Sequence, residues 1–331
     1  MNVAVVGAGG WGTAIAIHMA LCGHEVKLWA RRPELVQRIE EQGKNEDYLP
    51  DVPLPETVKV TSNMETVLNG AHAIVLATPS KAVRATCEHI KPFYEAKTPV
   101  LLLSKGIEYS GGLLLLDVVD ALLDSRQHQA VLSGPNHAEE VARNMLSATV
   151  IAAENADIAR LFQSALASDY FRVYTSADVK GVQISGAAKN IIAIATGIMA
   201  GVGHGDNTTA MLMTRGLAEI SRLVTAAGGE AQTCMGLAGM GDLIATCTSR
   251  HSRNRSFGEA LAAGDTLASY EAKTHMVVEG ALACKSVVQL AARYEVELPI
   301  CEMVRRAVWE GLALDEMTRL LMLRPAKPEF Y

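Results

Sequence analysis

The chain has 331 residues, of which 49% are hydrophobic and 20% are charged, and its 36 acidic and 30 basic side chains give a formal net charge of −6. This composition excludes a disordered or fibrous protein, and the acidic balance disfavours a general nucleic-acid binder, which is usually basic. The length suffices for two domains of ordinary size.

Neither the apolar segments nor the cysteines indicate a membrane protein or an exported one. The longest strongly apolar stretch, residues 191–202, is shorter than the roughly 20 residues that span a bilayer. The six cysteines are scattered, without a CxxC pair or a spacing typical of zinc ligands. We therefore expect reduced thiols, no bound metal, no membrane insertion and a cytoplasmic location.

Short β-rich runs alternate with helical patterns in the first half of the chain. Strands are predicted over residues 3–6, 26–29, 58–61, 73–77, 100–104 and 130–133, with further β-like runs at 148–152 and 170–174. Helices are predicted over 12–21, 33–42, 80–90, 113–123 and 137–143. Such alternation indicates a doubly wound, mainly parallel sheet of the Rossmann type, with helices on both faces.

The pattern changes after about residue 176. From residue 182 the chain is rich in Ala, Ile, Met and Leu at helical spacing, and glycine clusters at 201–205, 228–229 and 236–241 interrupt it. We therefore predict an α/β protein with a dinucleotide-binding domain over residues 1–180 and an all-α substrate-binding and catalytic domain over residues 181–331. The long apolar helices of the second domain are compatible with a homodimer.

A glycine-rich turn directly follows the first predicted strand. Gly7, Gly9 and Gly12 match the pattern G-x-G-x-x-G, with Gly10 and Trp11 between them. The glycines of this pattern permit a tight turn, a close approach of the backbone to a pyrophosphate, and close packing of helix and strand. The helix N-terminus that follows attracts the anion. The sequence therefore predicts a dinucleotide site at this turn.

The residues after the second predicted strand indicate which dinucleotide binds. NAD-binding domains usually have a carboxylate here that bonds the ribose 2′-hydroxyl, whereas this chain has Arg31 and Arg32. Two guanidinium groups favour the 2′-phosphate of NADP through charge-assisted hydrogen bonds. The alternative is a pair of solvated arginines at the start of the next helix. We predict NADP(H) as the cofactor and leave NAD(H) open.

Several polar residues stand where the ligands of an open α/β sheet bind, beyond the carboxyl ends of the strands. They include Lys105, Gly134 and Asn136. Lys189 is different, because its neighbours in the sequence are small or apolar. Such a lysine either extends its amine to water or keeps it desolvated. Desolvation lowers the pKa of the amine and permits proton exchange near neutral pH. Its place at the junction of the two domains favours desolvation.

A basic segment lies further along the chain. Asp242 is the only acid in the glycine-rich stretch 236–243, and residues 246–256 contain three arginines, a histidine and several hydroxyl and amide groups before a predicted helix at 257–263. This composition suits a small phosphate; a solvated loop and a nucleic-acid contact are the alternatives. Glu279 stands at the head of a later predicted helix, and its position alone indicates only a favourable charge at a helix start.

In order and spacing, these segments resemble the bacterial type of NAD(P)-dependent glycerol-3-phosphate dehydrogenase along essentially the whole chain. The motifs that carry the resemblance are GAGGWGTA at 7–14, WAR at 29–31, SKGIE at 104–108, SGP at 133–135, AAKN at 187–190, GMGDL at 239–243 and SRNR at 252–255. The resemblance implies a reversible reduction of dihydroxyacetone phosphate to sn-glycerol 3-phosphate, which feeds glycerophospholipid synthesis.

The resemblance also implies roles for single residues. Lys189 is the expected catalytic residue, assisted by the charge of Lys105. The expected substrate-binding residues are Lys105, Gly134, Asn136, Lys189, Asp242, Ser252, Arg253 and Asn254. The expected nucleotide positions beyond Gly7, Gly9 and Gly12 are Gly10, Trp11, Arg31, Arg32, Lys105, Ala138, Arg253, Val277 and Glu279. Asn136 departs from the family, in which Ser or Thr is common; an amide can still donate a hydrogen bond there.

Two other functions fit part of this pattern. A related dehydrogenase of the same architecture could act on a 3-hydroxy acid or a sugar acid, although a carboxylate substrate favours a bidentate arginine over a hydroxyl-rich phosphate site. A non-catalytic NADP(H) sensor would not require Lys105, Lys189 and the segment 252–254 to converge. Convergence of these three elements therefore argues against a sensor, and a coupled NADPH-oxidation assay with dihydroxyacetone phosphate separates all three functions.

Overall fold

One eight-stranded sheet forms the centre of the first half of the protein. The computed structural model describes residues 1–109, 111–274, 276–325 and 328–329. The strands are β1 (Asn2–Val6), β2 (Glu25–Trp29), β3 (Val58–Thr61), β4 (Ala73–Leu76), β5 (Val100–Leu102), β6 (Gln129–Ser133), β7 (Ser147–Ala152) and β8 (Phe171–Ser176). Their order is β3-β2-β1-β4-β5-β6-β7-β8, and only β6 and β7 pair antiparallel. The predicted mainly parallel Rossmann-type sheet is confirmed.

Helices cover both faces of this sheet. They are α1 (Gly10–Leu21), α2 (Pro33–Gln42), α3 (Met64–Leu68), α4 (Val83–Ile90), α5 (Leu115–Leu123), α6 (Ala138–Val141) and α7 (Ala156–Leu166). Side chains alternate along β1, so that Val3 and Val5 join one buried cluster while Ala4 and Val6 join another on the opposite face. The sheet is therefore the middle layer of three.

The sequence prediction missed α3 and α7. The single turn of α3 is too short to show a helical period. In contrast, α7 had a readable signal, since Asn155 caps it by accepting a hydrogen bond from the backbone N–H of Asp157, and Ile158, Phe162 and Leu166 repeat at helical spacing on its buried face.

The second half is helical. Its helices are α8 (Val179–Gly201), α9 (Asp206–Ala226), α10 (Asp242–Thr248), α11 (Arg253–Ala262), α12 (Leu267–Thr274), α13 (Glu279–Arg293), α14 (Pro299–Glu310) and α15 (Leu314–Met322). Among the described residues, α8 alone is long and apolar enough to cross a membrane, with a mean hydropathy of 1.3, because it begins well before the stretch 191–202. However, 89% of its apolar window is buried inside the protein, as in the core helix of a globular domain.

Close packing of α11 on α8 positions the end of the basic segment. A Cβ atom on Gly258 would lie 2.3 Å from the carbonyl oxygen of Ile194, so the two helix backbones are in contact there. Any larger residue at this position would force the helices apart. This contact places the N-terminus of α11, with Ser252 at its cap, beside the middle of α8.

Candidate active site

The glycine-rich turn connects β1 to α1 and leaves space for a ligand. A Cβ atom on Gly12 would lie only 1.8 Å from the carbonyl oxygen of Gly7, so helix and turn are in direct contact. A Cβ atom on Gly9 would have no neighbour within 4 Å. The backbone of Gly9 therefore faces open space next to the N-terminus of α1, which is what binding of a pyrophosphate at such a turn requires. Ala138 and Tyr48 border this turn at Gly10.

Arg31 and Arg32 follow β2 and differ in their surroundings. Arg31 is exposed and makes no hydrogen bond or ion pair with the described part of the chain. Arg32 precedes α2 and donates from Nη2 to Asp47 Oδ2 at 3.2 Å and to the Tyr48 hydroxyl at 3.4 Å. Only one of the two predicted phosphate ligands is therefore without a partner among these residues.

Lys189 lies in the middle of α8 and is buried. Its Nζ donates hydrogen bonds to Asp242 Oδ1 at 2.9 Å and to Thr246 Oγ1 at 2.6 Å. The pKa of Lys189 is lowered from 10.5 to about 8, mainly by desolvation; the charge of Asp242 opposes this shift and the charge of Lys105 contributes to it. The amine is therefore able to gain or lose a proton near physiological pH.

Asp242 joins Lys189 to Lys105. It is the first residue of α10, and its other oxygen, Oδ2, accepts from Lys105 Nζ at 2.6 Å. Lys105 Nζ also donates to the carbonyl oxygen of Gly134 at 2.9 Å. Burial alone would raise the pKa of Asp242, but the two lysine charges outweigh burial and hold it below its usual value. The result is a Lys–Asp–Lys cluster shared by the two halves of the protein.

The predicted phosphate-binding residues form the first turn of α11, which begins four residues earlier than expected. Ser252 caps this helix, since its Oγ accepts a hydrogen bond from the backbone N–H of Arg255 at 3.3 Å. The side chain of Arg253 is exposed. Asn254 is buried and donates from Nδ2 to Asn190 Oδ1 at 2.9 Å. Because Asn190 follows Lys189, this bond ties the helix start to the Lys–Asp–Lys cluster.

Glu279 connects the helical half to the loop after β4. Its carboxylate accepts hydrogen bonds from both the backbone N–H and the hydroxyl of Ser80. Burial raises the pKa of Glu279, although these hydrogen bonds and nearby cations oppose the shift. Glu279 thus does more than favour the start of α13. Sequence reasoning missed Ser80 as its partner, although Ser80 stands at a strand end, where polar residues were expected. Val277, just before Glu279, is partly buried.

Asn136 is hydrogen-bonded to the backbone around it. Its Nδ2 already donates to the carbonyl oxygens of Pro135 and Ala148, both at 3.0 Å, while its buried Oδ1 has no partner among the described residues. Both backbone contacts use the amide donor group, and the expected donation to a ligand stays a prediction. Asn136 also offers an acceptor, which suits a ligand hydroxyl or amide N–H.

Known proteins resemble this chain along nearly all of its length. Models of the NAD-dependent glycerol-3-phosphate dehydrogenase N-terminus and C-terminus match residues 2–159 and 178–319. Glycerol-3-phosphate dehydrogenase (NAD(P)+) 2 of Mycobacterium bovis is 47% identical over 329 residues, covering 99% of this chain and 98% of the relative. A crystal structure of glycerol-3-phosphate dehydrogenase from Coxiella burnetii has a TM-score of 0.94 and 38% identity, covering 98% of this chain and 99% of that one.

Proposed function

This chain belongs to the NAD-dependent glycerol-3-phosphate dehydrogenase family, and from that premise we propose which of its residues carry out the reaction. The enzyme interconverts dihydroxyacetone phosphate and sn-glycerol 3-phosphate with NADP(H) or NAD(H). The observation that carries the residue assignment is the cluster of buried Lys189 and Asp242 with partly buried Lys105, beside the N-terminus of α11.

Lys189 is the proposed proton donor and acceptor. The bound NAD(P)H supplies the hydride. During reduction the ammonium form of Lys189 donates a proton to the oxygen on C2, and during oxidation its amine form accepts that proton. Lys105 adds a second positive charge, which stabilises the negative charge that develops on this oxygen. Asp242 holds both ammonium groups in place and partly compensates the cost of burying them.

The phosphate of the substrate is proposed to bind at the start of α11. The free backbone N–H groups and the positive end of the helix dipole attract an anion there. Ser252, Arg253 and Asn254 add a hydroxyl, a guanidinium and an amide to this helix end. Gly134 and Asn136 complete the proposed substrate-binding residues. Binding energy from the phosphate, remote from the reacting carbon, helps to orient the carbonyl for reaction.

The glycine-rich turn is proposed to hold the cofactor pyrophosphate, because a Cβ atom on Gly9 would enter open space. Arg31 and Arg32 stand where the adenosine ribose of a Rossmann domain lies, so they are the proposed ligands of the NADP 2′-phosphate. The other proposed nucleotide-binding residues are Gly7, Gly10, Trp11, Gly12, Lys105, Ala138, Arg253, Val277 and Glu279.

A substrate comparison tests this function. The purified protein should oxidise NADPH in the presence of dihydroxyacetone phosphate, with kcat/KM at least about 100-fold higher than for keto acids of similar size, because a site built for a phosphate leaves its donors unpaired when the phosphate is missing. A preference for a keto acid would point to the related 3-hydroxy-acid or sugar-acid dehydrogenase. NADPH binding without any turnover would point to a sensor.

The pH profile of the enzyme should follow the protonation of Lys189. With a pKa of about 8, the ammonium form that reduction requires disappears above that pH, so kcat/KM for reduction should fall there. Oxidation requires the amine, so its kcat/KM should rise with pH and level off above about 8. Measuring both directions between about pH 6 and 10 checks this mirror relation.

The variant Lys105→Gln sharpens the pH experiment. Because the charge of Lys105 helps to lower the pKa of Lys189, the inflection of the remaining activity should move to higher pH in this variant. If the inflection stays at the same pH in Lys105→Gln, the proposed role of Lys189 is contradicted. It is also contradicted if kcat/KM changes with pH in the same sense for reduction and for oxidation.

The domain division, location and assembly belong to the same proposal. Residues 1–180 form the proposed dinucleotide-binding domain and residues 181–331 the proposed helical substrate-binding and catalytic domain, and each also lends residues to the other's ligand; α8 begins at this boundary. A cytoplasmic location is supported by the six cysteines, all of which are free thiols. The homodimer stays a prediction, which light scattering of the purified protein would check.

A further inference from the structure

Asp47 places a carboxylate beside Arg32, one of the two proposed ligands of the NADP 2′-phosphate. One of its oxygens, Oδ2, lies 3.2 Å from Arg32 Nη2 and 2.5 Å from Arg38 Nη2. Neither the glycine-rich turn nor the Lys–Asp–Lys cluster contains this residue. Arg32, Arg38 and Asp47 together carry one net positive charge, whereas the two arginines alone would carry two.

The segment that carries Asp47 is anchored by a backbone hydrogen bond and by buried side chains. After α2 the chain turns at Gly43, whose φ of 67° is favoured by glycine. The backbone N–H of Leu54 donates to the carbonyl oxygen of Gly43 at 2.8 Å and closes the segment 43–54 into a loop. Leu49 and Val52 are buried against α1. Asp47 is therefore not on a freely moving surface loop.

The same segment is packed against the glycine-rich turn. Asn45 is fully buried, and its Nδ2 donates to the carbonyl oxygen of Ala8 at 2.9 Å and to Thr13 Oγ1 at 2.8 Å. The carbonyl oxygen of Tyr48 lies 3.1 Å from the position of a Cβ atom on Gly10. Asp47 lies between Asn45 and Tyr48 in the chain, so its carboxylate stays close to the turn and to Arg32.

We propose that Asp47 is a specificity-determining residue that reduces the preference of this enzyme for NADP(H) over NAD(H). A 2′-phosphate approaching Arg32 meets a guanidinium that already shares its charge with Asp47, and it is repelled by the carboxylate. The neutral 2′-hydroxyl of NAD(H) meets no such repulsion, and a carboxylate is able to accept its hydrogen bond. Arg31, which is exposed, remains available to the phosphate.

This inference rests on the proposed assignment of Arg31 and Arg32 to the 2′-phosphate. The test is the variant Asp47→Asn, which keeps the shape of the side chain and removes its charge. The ratio of kcat/KM for NADPH to kcat/KM for NADH should rise about three- to tenfold, the size expected for one partly exposed charge pair. The dissociation constant for NADPH, measured by nicotinamide fluorescence without substrate, should fall by the same factor, while that for NADH stays within about twofold.

Two further variants serve as controls. Asp51→Asn removes an equal charge four residues along the same segment, where the carboxylate is paired with Arg143 at 3.0 Å, and it should leave the ratio unchanged. Arg32→Ala should lower the NADPH to NADH ratio. The difference between Asp47→Asn and the wild type should also shrink at high salt, because ions screen a partly exposed charge; a purely structural effect would not respond in this way.

The outcomes are distinct. A ratio that stays constant or falls in Asp47→Asn would overturn the proposal; a fall would mean that Asp47 instead orients Arg32 for the phosphate. An unchanged ratio in Arg32→Ala would overturn it too. Because the binding measurements need no turnover, failure to reduce dihydroxyacetone phosphate would count against the proposed function alone.

Discussion

Replacing Lys189 with alanine should lower kcat for dihydroxyacetone phosphate reduction by about 10²–10⁴-fold, the usual contribution of a positioned proton donor. The reason is that Lys189 Nζ is the buried amine of the cluster and has a pKa of about 8, near the pH at which it must exchange a proton. NADPH affinity should stay within about twofold, since the glycine-rich turn is left intact. Steady-state kinetics and NADPH titration measure the two effects separately.

A matched control lies on the same helix. Lys180 is near the start of α8, where its Nζ donates to the carbonyl oxygen of Ala227 at 3.2 Å. The variant Lys180→Ala removes a lysine from α8 without touching the cluster, and it should keep its turnover. If Lys189→Ala retains more than about a tenth of the wild-type kcat, the proposed catalytic role of Lys189 is wrong.

Asp242→Asn should produce the largest loss of stability, about 3–5 kcal/mol, because removing one partner of a buried ion pair leaves an uncompensated charge. Here a single carboxylate pairs with both Lys105 and Lys189. Turnover should fall as well. Since Asp242 raises the pKa of Lys189, its removal should move the inflection for reduction to lower pH. Denaturant unfolding and the pH profile measure the two consequences.

Two comparisons isolate the buried charge. Asp157→Asn removes a carboxylate whose side chain is 83% exposed and paired with Arg160, so stability should change by less than about 0.5 kcal/mol. The double variant Asp242→Asn, Lys189→Met removes the carboxylate and one of its buried partners, and it should recover part of the stability lost in the single variant. Wild-type stability in Asp242→Asn would show that the cluster does not depend on this charge.

Much of the fold was predictable because its signals are local. The eight strands are short runs of β-branched and apolar residues, and the glycines at 7, 9 and 12 mark the turn by their spacing. Local signals were weaker for helix ends. The start of α11 was expected at residue 257 and lies at Arg253, because the Ser252 hydroxyl caps the helix and allows polar residues in its first turn.

The candidate site was predictable only as a set of separate residues. Lys105 stood out by its position beyond the end of a predicted strand, and Lys189 stood out as a charged residue among small or apolar neighbours. Their roles in the proposed reaction came from the resemblance of the motifs to a known family. Without it, Asp242 was only the single acid of a glycine-rich stretch, and Glu279 was only a charge at a helix start.

By itself, the sequence determined the class of fold, the dinucleotide turn and the membership of a family, because these depend on spacing between residues that are near each other in the chain. The tertiary structure alone decided that Asp242 joins Lys105 to Lys189, that Glu279 binds Ser80, and that Asn136 has an acceptor to offer. These contacts join residues up to 199 positions apart. Such pairs form only when the two halves pack together, and burial by that packing is also what lowers the pKa of Lys189.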